Sequence, residues 1–213
     1  MNTASPFIPE VLAETAHWVV VSKPAGMLSI PGSSSIHSLS AWAQKAYGAI
    51  WMVHRIDQET SGVVLMARSQ EDHRRAGLWF QNREVKKIYH CLASGVPSAP
   101  LMKLNSGIAG KPCLSQVEVL ESFHEGFLAR VVPRTGRRHQ IRIHLSQRGH
   151  SLWGDLRYGG LAEVRLGGEP ISVPRVALHS SSLELPSGEK FEAPLPNDFV
   201  SWLNQLRTRG QRV

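Results

Sequence analysis

Residues 62–67, GVVLMA, restrict this chain more than any other stretch. They contain no charge and no polar side chain, they are too few for an ordinary helix, and two β-branched valines follow the opening glycine. Such a run is expected as a strand buried inside a sheet. Just before it, WMVHRIDQETS places Arg55, Asp57 and Glu59 between an apolar WMV and the buried strand. The turn-prone DQETSG sets Arg55 and Asp57 on a loop held by sheet at both sides, and loops on rigid scaffolds are where catalytic groups are usually found. An aspartate there is ionised near neutral pH and only weakly nucleophilic. Chemistry at Asp57 therefore needs a partner that orients it and surroundings that exclude water. The competing reading makes Asp57 a turn residue capping its own loop and Glu59 a solvated surface acid.

The rest of the chain reads as strands with a few helices. A Pro-containing leader over about residues 1–16 precedes HWVVVSKPAGMLSIPG, which predicts a strand over 18–21 opening into a loop at Pro24 and Gly26. Ser38 is a hydroxyl cap for a short helix carrying Leu39, Trp42, Ala43 and Ala46, closed by Gly48. Residues 70–83 set Ala76, Trp79 and Phe80 at helical spacing. VKKIYHCLASG is a further strand, and 115–123 and 126–133 are two more, joined at 124–126. The Gly- and Pro-rich segment 159–174 reads as a long surface loop, ALHSSSLELP as a late strand, and 198–206 as a closing helix. Strands outnumber helices and hairpins are common, so the class is α+β with a largely antiparallel or mixed sheet. A length of 213 residues suits a single domain, 1–213, and no linker divides it.

Composition adds a partner. Lys and Arg number 24 against 17 Asp and Glu, a net charge of +7, and the pI is about 9.8. That balance points to a polyanion. The density is highest in RTGRRHQIRIHLSQRGH, residues 134–150, which holds Arg134, Arg137, Arg138, Arg142 and Arg148 with His139, His144 and His150. The arginine fork matches phosphate and carboxylate, and like charges this close repel one another, so something negative is expected to bind here. The local structure stays open at this point. Ile141, Ile143 and Leu145 alternate as in a strand, whereas Ile141 with Leu145 and Arg138 with Arg142 fit a helix ended by Gly149. Arg138 and Arg148 read as a solvated basic face in either case.

Tyr89 alternates with Lys87 and Cys91 along one side of its strand. A strand tyrosine is ordinarily core, but beside a nucleophilic carboxylate and basic groups its ring could stack on a base turned out of a nucleic acid. Cys91 and Cys113 have neither C-x-x-C spacing nor histidines at finger spacing and read as small buried hydrophobes; no metal site is expected. Without a basic-then-apolar leader or a run of about eighteen apolar residues, a cytosolic, soluble chain is expected.

Taken together, these segments resemble the RluA-type family of RNA pseudouridine synthases. The matching pieces run in order: VVVSKPAGMLSIPG, VHRIDQETSGVVLMAR, REVKKIYHCLASG, TGRRHQIRIHL, GHSLWGDLRYGG and ALHSSSLELP. The resemblance implies a pseudouridine synthase fold, a long mixed and mainly antiparallel sheet flanked by helices and loops, with a central basic cleft. It implies a helix in the arginine-rich segment. It also implies that Asp57 is the catalytic aspartate, that Arg55 helps turn out the target nucleotide, that Tyr89 stacks on the uracil and later serves the proton step, and that Arg142 pairs with the catalytic carboxylate. Lys87, Arg137 and His139 are expected to contact RNA. Ile56 replaces the commoner leucine, and PRVALHS stands where many members have R-Q-A-L-H-A. Many relatives carry a small N-terminal RNA-binding domain; with about sixteen residues before the first strand, none is expected here.

The implied reaction breaks the N-glycosidic bond, rotates the uracil and rejoins it through ring carbon 5. It involves no redox change, so no cofactor is expected. The carboxylate serves either as nucleophile or as a base assisting glycal formation; the sequence leaves both open. The target is expected to be a flippable uridine in a stem-loop of ribosomal or transfer RNA, bound by a monomer. Two other readings compete. One is an RNA-binding or ribosome-assembly factor on the same scaffold, for which Asp57 is dispensable. The other is a glycoside or nucleoside hydrolase that pairs Asp57 with Glu59.

Overall fold

In a computed structural model that describes residues 8–31 and 38–212, the chain opens on an antiparallel pair, β1 (Glu10–Glu14) and β2 (Trp18–Lys23). β1 lies inside the segment read as a leader, of which residues 1–7 fall outside the described residues. The Thr15 hydroxyl accepts from the amides of His17 at 3.2 Å and Trp18 at 2.9 Å, closing a turn that brings 10–14 back along β2. Next come α1 (Leu39–Tyr47), capped by Ser38 and Gly48 as expected, β3 (Trp51–Met52), β4 (Ser61–Ala67) and α2 (Gln70–Gln81). The chain continues through β5 (Lys86–Ser94), β6 (Leu101–Leu104), β7 (Ser115–Phe123), β8 (Gly126–Pro133) and α3 (Gln140–Ser146). It ends with β9 (Glu163–Leu166), β10 (Glu169–Ser172), β11 (Leu178–Glu184), β12 (Lys190–Glu192) and α4 (Asn197–Arg209). Backbone contacts separate two compact units: the first runs to Lys86 and includes Ser180–Pro194, and the second comprises Lys87–His179 with the residues from Leu195. No helix among the described residues is long and apolar enough to cross a membrane.

In the first unit every residue of β4 is buried, and the pleat explains why. Val63, Leu65 and Ala67 pack with Trp18, Val20 and Leu183 and with Ala76 of α2, while Val64 and Met66 pack with Val19, Val21 and with Leu39 and Ala43 of α1. β2 runs antiparallel to β4, and β3 joins β4 only at Trp51 and Met52. Gly62 admits no other residue: its φ is +113°, and a side-chain carbon would stand 2.1 Å from the Ser180 carbonyl oxygen. The T-S-G that follows Asp57 is therefore partly a packing requirement of the sheet.

In the second unit β5, β8, β7 and β6 form an antiparallel series. One face, with Cys91, Ala93, Val117, Ala129 and Val131, packs against Ile141 and Leu145 of α3. The other presents Leu92 and Leu128 to Phe199, Trp202, Leu203 and Leu206 of α4. The segment 159–174 is not the long loop expected. β9 and β10 form a two-stranded hairpin across Gly167 and Gly168, whose φ values of +58° and +87° suit a tight turn. Leu166, Ile171 and Val173 join the core beside α4. Apolar residues alternating around Gly-Gly outweigh the loop signal of Pro170, which the edge of a two-stranded ribbon tolerates.

Candidate active site

The loop bearing Arg55 and Asp57 leaves the sheet where β3 ends. Met52 pairs with Met66, and the Val53 amide still reaches the Leu65 carbonyl at 3.4 Å. At the next rung a side chain replaces backbone: the Leu65 amide donates to His54 Nε2 at 3.0 Å, which requires a neutral ring protonated on Nδ1. The His54 ring stacks on Phe80 of α2, with centroids 4.8 Å apart. The main chain can thus turn away from β4 without orphaning the Leu65 amide.

Beyond His54 the loop is fixed from below. Ile56 is buried in the apolar cluster beneath α1, between the exposed Arg55 and the half-buried Asp57. Ser29 Oγ donates to the Ile56 carbonyl at 2.7 Å and accepts from the Ile56 amide at 3.2 Å. The Gln58 carbonyl accepts from the Gly26 amide at 2.8 Å and from Lys23 Nζ at 3.1 Å. Lys23 is wholly buried and also donates to the carbonyls of Pro24 and Met27, at 2.8 and 2.7 Å. A buried ammonium is tolerable only where such acceptors meet it. The Thr60 amide donates to the Asp57 carbonyl at 3.1 Å and closes the turn. Glu59 is half-buried rather than the solvated acid expected, since the turn inserts it beside the buried Thr60 and Ser61. Lys23 and Ser29 lie within VVVSKPAGMLSIPG, where no local pattern gives either a role; here they clamp the Asp57 loop.

The remaining candidates, Lys87, Tyr89, Arg137, His139 and Arg142, lie in the second unit. On β5, Lys87 and Tyr89 are half-buried. Tyr89 stands across from Val131 and packs on the cluster beneath α3, so its ring rests on the core it was expected to resemble. Burial holds the Lys87 ammonium below the usual lysine range. A side-chain carbon at Gly136 would be 3.7 Å from Lys87 Nζ, which sets the TGRR turn beside it.

That turn is organised by Gln140. Its Oε1 accepts from the Thr135 hydroxyl at 2.6 Å and the Arg137 amide at 3.1 Å, and its Nε2 donates to the Leu114 carbonyl and Ser115 Oγ at 3.0 Å each. Arg137 and Arg138 are left exposed. His139 adopts the left-handed conformation, φ +56°, and its Nδ1 lies 2.9 Å from the Tyr158 hydroxyl. The helix implied by the resemblance then begins, with Ile141 and Leu145 in the core and Arg142 buried. Arg142 Nε and Nη2 donate to the two carboxylate oxygens of Asp155 at 2.7 Å each, and its guanidinium lies 5.1 Å from the centre of the Tyr158 ring. Neither Asp155 nor Tyr158 was a sequence candidate, although both belong to GDLRYGG, one of the segments that carry the resemblance. Among the described residues no group of three or more His, Cys, Asp or Glu is placed to hold a metal ion.

Comparison with known proteins identifies what these segments belong to. Residues 17–147, which contain all seven candidates, match the family model for RNA pseudouridylate synthase. Ribosomal large subunit pseudouridine synthase D of Pseudomonas aeruginosa is 33% identical, over 93% of this chain and 72% of its own. The dual-specificity RNA pseudouridine synthase RluA of Salmonella typhi is 32% identical, over 89% of this chain and 93% of its own. Two human proteins, RNA pseudouridylate synthase domain containing 4 and 1, superpose with TM-scores of 0.75 and 0.76 at 24% and 23% identity. They cover 93% and 100% of this chain, and 93% and 92% of their own. The fold is therefore that of the pseudouridine synthases. The chain belongs to the RNA pseudouridylate synthase family, and is an isomerase that forms pseudouridine in RNA. That assignment replaces the hydrolase reading of Asp57 with Glu59.

Proposed function

We propose that the protein modifies specific uridines in a stem-loop of ribosomal or transfer RNA, acting as a cytoplasmic monomer, with Asp57 as the catalytic carboxylate. The observation that carries the assignment of Asp57 is its loop: the HRIDQETSG segment is held by Ser29 at Ile56 and by Lys23 and Gly26 at Gln58, the residues on either side of the aspartate. A carboxylate carried on so fixed a backbone suits a reaction in which it must meet one ribose. Among the named relatives one is a ribosomal large subunit enzyme, which supports ribosomal RNA as a substrate class, and another is dual-specificity.

In this reading Arg55, exposed beside the aspartate, helps turn the target nucleotide out of the RNA. Tyr89 offers its face to the uracil, and Lys87, Arg137 and His139 meet phosphate and sugar. Arg142 pairs with Asp57 and orients it. The C1′–N1 bond breaks, the uracil rotates, a C1′–C5 bond forms, and the proton leaving C5 is balanced by one taken up at N1. Atoms and electrons are conserved, and Tyr89 serves the proton step.

Asp57→Asn and Asp57→Ala are expected to lower pseudouridine formation by at least about 10³-fold while RNA affinity stays within about threefold. Retained turnover in either variant would refute the role. Tyr89→Phe preserves the ring and removes the hydroxyl, so it is expected to bind RNA normally and to stall before product in single-turnover assays. Normal turnover would show the hydroxyl to be dispensable.

A further inference from the structure

We propose that Asp155 is a positioning residue for Arg142 and that GDLRYGG, residues 154–160, is the segment that holds this arginine in its working orientation. The proposal rests on the reading in which Arg142 acts on the Asp57 carboxylate.

An arginine side chain has many rotamers, and a buried one needs its direction imposed. Asp155 imposes it. Its carboxylate is fully buried and takes the Nε and Nη2 edge of Arg142 in a two-pronged pair, the strongest and most directional arrangement open to a guanidinium. Tyr158 fixes the flat face, with its ring under the guanidinium and its hydroxyl on His139. The segment supplying both groups is itself tied down. The Asp155 carbonyl accepts from the amides of Tyr158 at 3.1 Å and Gly160 at 2.8 Å. The Tyr158 carbonyl accepts from Ser146 Oγ at 2.7 Å and Ser151 Oγ at 2.6 Å. His139 immediately precedes α3 and Ser146 is its last residue, so one short turn grips the helix at both ends and its arginine in the middle.

The pair has a consequence for the chemistry: Arg142 and Asp155 balance each other's charge, so the arginine is not an unbalanced buried cation.

Asp155→Asn keeps the shape but faces an arginine donor with an amide group. Its single-turnover rate on unmodified large-subunit ribosomal RNA and tRNA transcripts, followed by tritium release from [5-3H]uridine, is expected to fall ~10–100-fold, the range usual for partners one shell removed. RNA affinity is expected to stay within about threefold. In 15N NMR of the free protein, the slowly exchanging Arg142 Nε–H resonance is expected in wild type and lost in Asp155→Asn. Arg142→Met, which strands a buried carboxylate, is expected to be unstable; Arg142→Met with Asp155→Leu is expected to recover stability but not activity. Should Asp155→Asn fail to fold, Tyr158→Leu carries the test with the same two readouts. A wild-type rate in Asp155→Asn or Tyr158→Leu, an unchanged Arg142 resonance, or recovered activity in the double variant would overturn the proposal. Failure of the functional reading looks different: wild type would release no tritium although its Arg142 resonance still depended on Asp155, and the role in catalysis would fall with it.

Discussion

Lys23 lies at the start of KPAG, and its ammonium reaches the carbonyls of Pro24, Met27 and Gln58, the last being one residue beyond Asp57. Lys23→Met keeps most of the stem and removes the donors, leaving carbonyls unsatisfied. A loss of about 3 kcal/mol in urea melts is expected, with a larger drop in kcat than in RNA affinity because the Asp57 loop loses a clamp. Unchanged kcat in the folded variant would contradict the clamp. Cys91 offers a second residue-scale test. Burial pushes its thiol up to about 12, from an ordinary value near 9.0. Because the folded-state value is raised, the stability it contributes is complete below the unfolded value and is lost as pH climbs toward about 12. In a Cys113→Ser background, Cys91 is expected to resist iodoacetamide at about pH 8 until the protein is denatured. At this scale Asp57, Tyr89 and Arg142 could be picked out as candidates because short motifs contain them. Lys23 and Asp155 could not, because the Lys23 contact to Gln58 and the Asp155 contact to Arg142 span 35 and 13 positions and no local pattern pairs them.

Among elements, those with a clear period were legible and those defined by partners were not. β4, β7, β8, α1 and α4 announced themselves by apolar runs, alternation and caps. β1, β3, β6 and β12 span two to five residues, too few for any period to register. For α3 the alternation of Ile141, Ile143 and Leu145 favoured a strand as much as a helix; the helix forms where Gln140, by four side-chain hydrogen bonds, fixes the turn before it. The hairpin of β9 and β10 escaped detection because it draws its stability from α4. Phe199 is the test at this scale. It is fully buried among Leu92, Leu128 and the hairpin side chains, so Phe199→Ala is expected to cost about 3–5 kcal/mol, measured by urea unfolding. A cost below about 1 kcal/mol would mean that α4 does not organise this layer.

For the molecule as a whole, a net charge of +7 indicated a polyanion, and the family assignment makes that polyanion RNA. Composition could not have said more, since charge gives neither the substrate class nor the chemistry; motif order did. The proposed reaction centres on one carboxylate, Asp57, whose loop is held by Lys23 and Ser29. The most direct test is pseudouridine mapping, by selective chemical labelling and primer extension, of total RNA from cells lacking the protein and complemented with wild type or Asp57→Ala. One or a few uridines in ribosomal or transfer RNA are expected to lose their modification, wild type to restore it and Asp57→Ala not to. Restoration by Asp57→Ala would contradict the central claim.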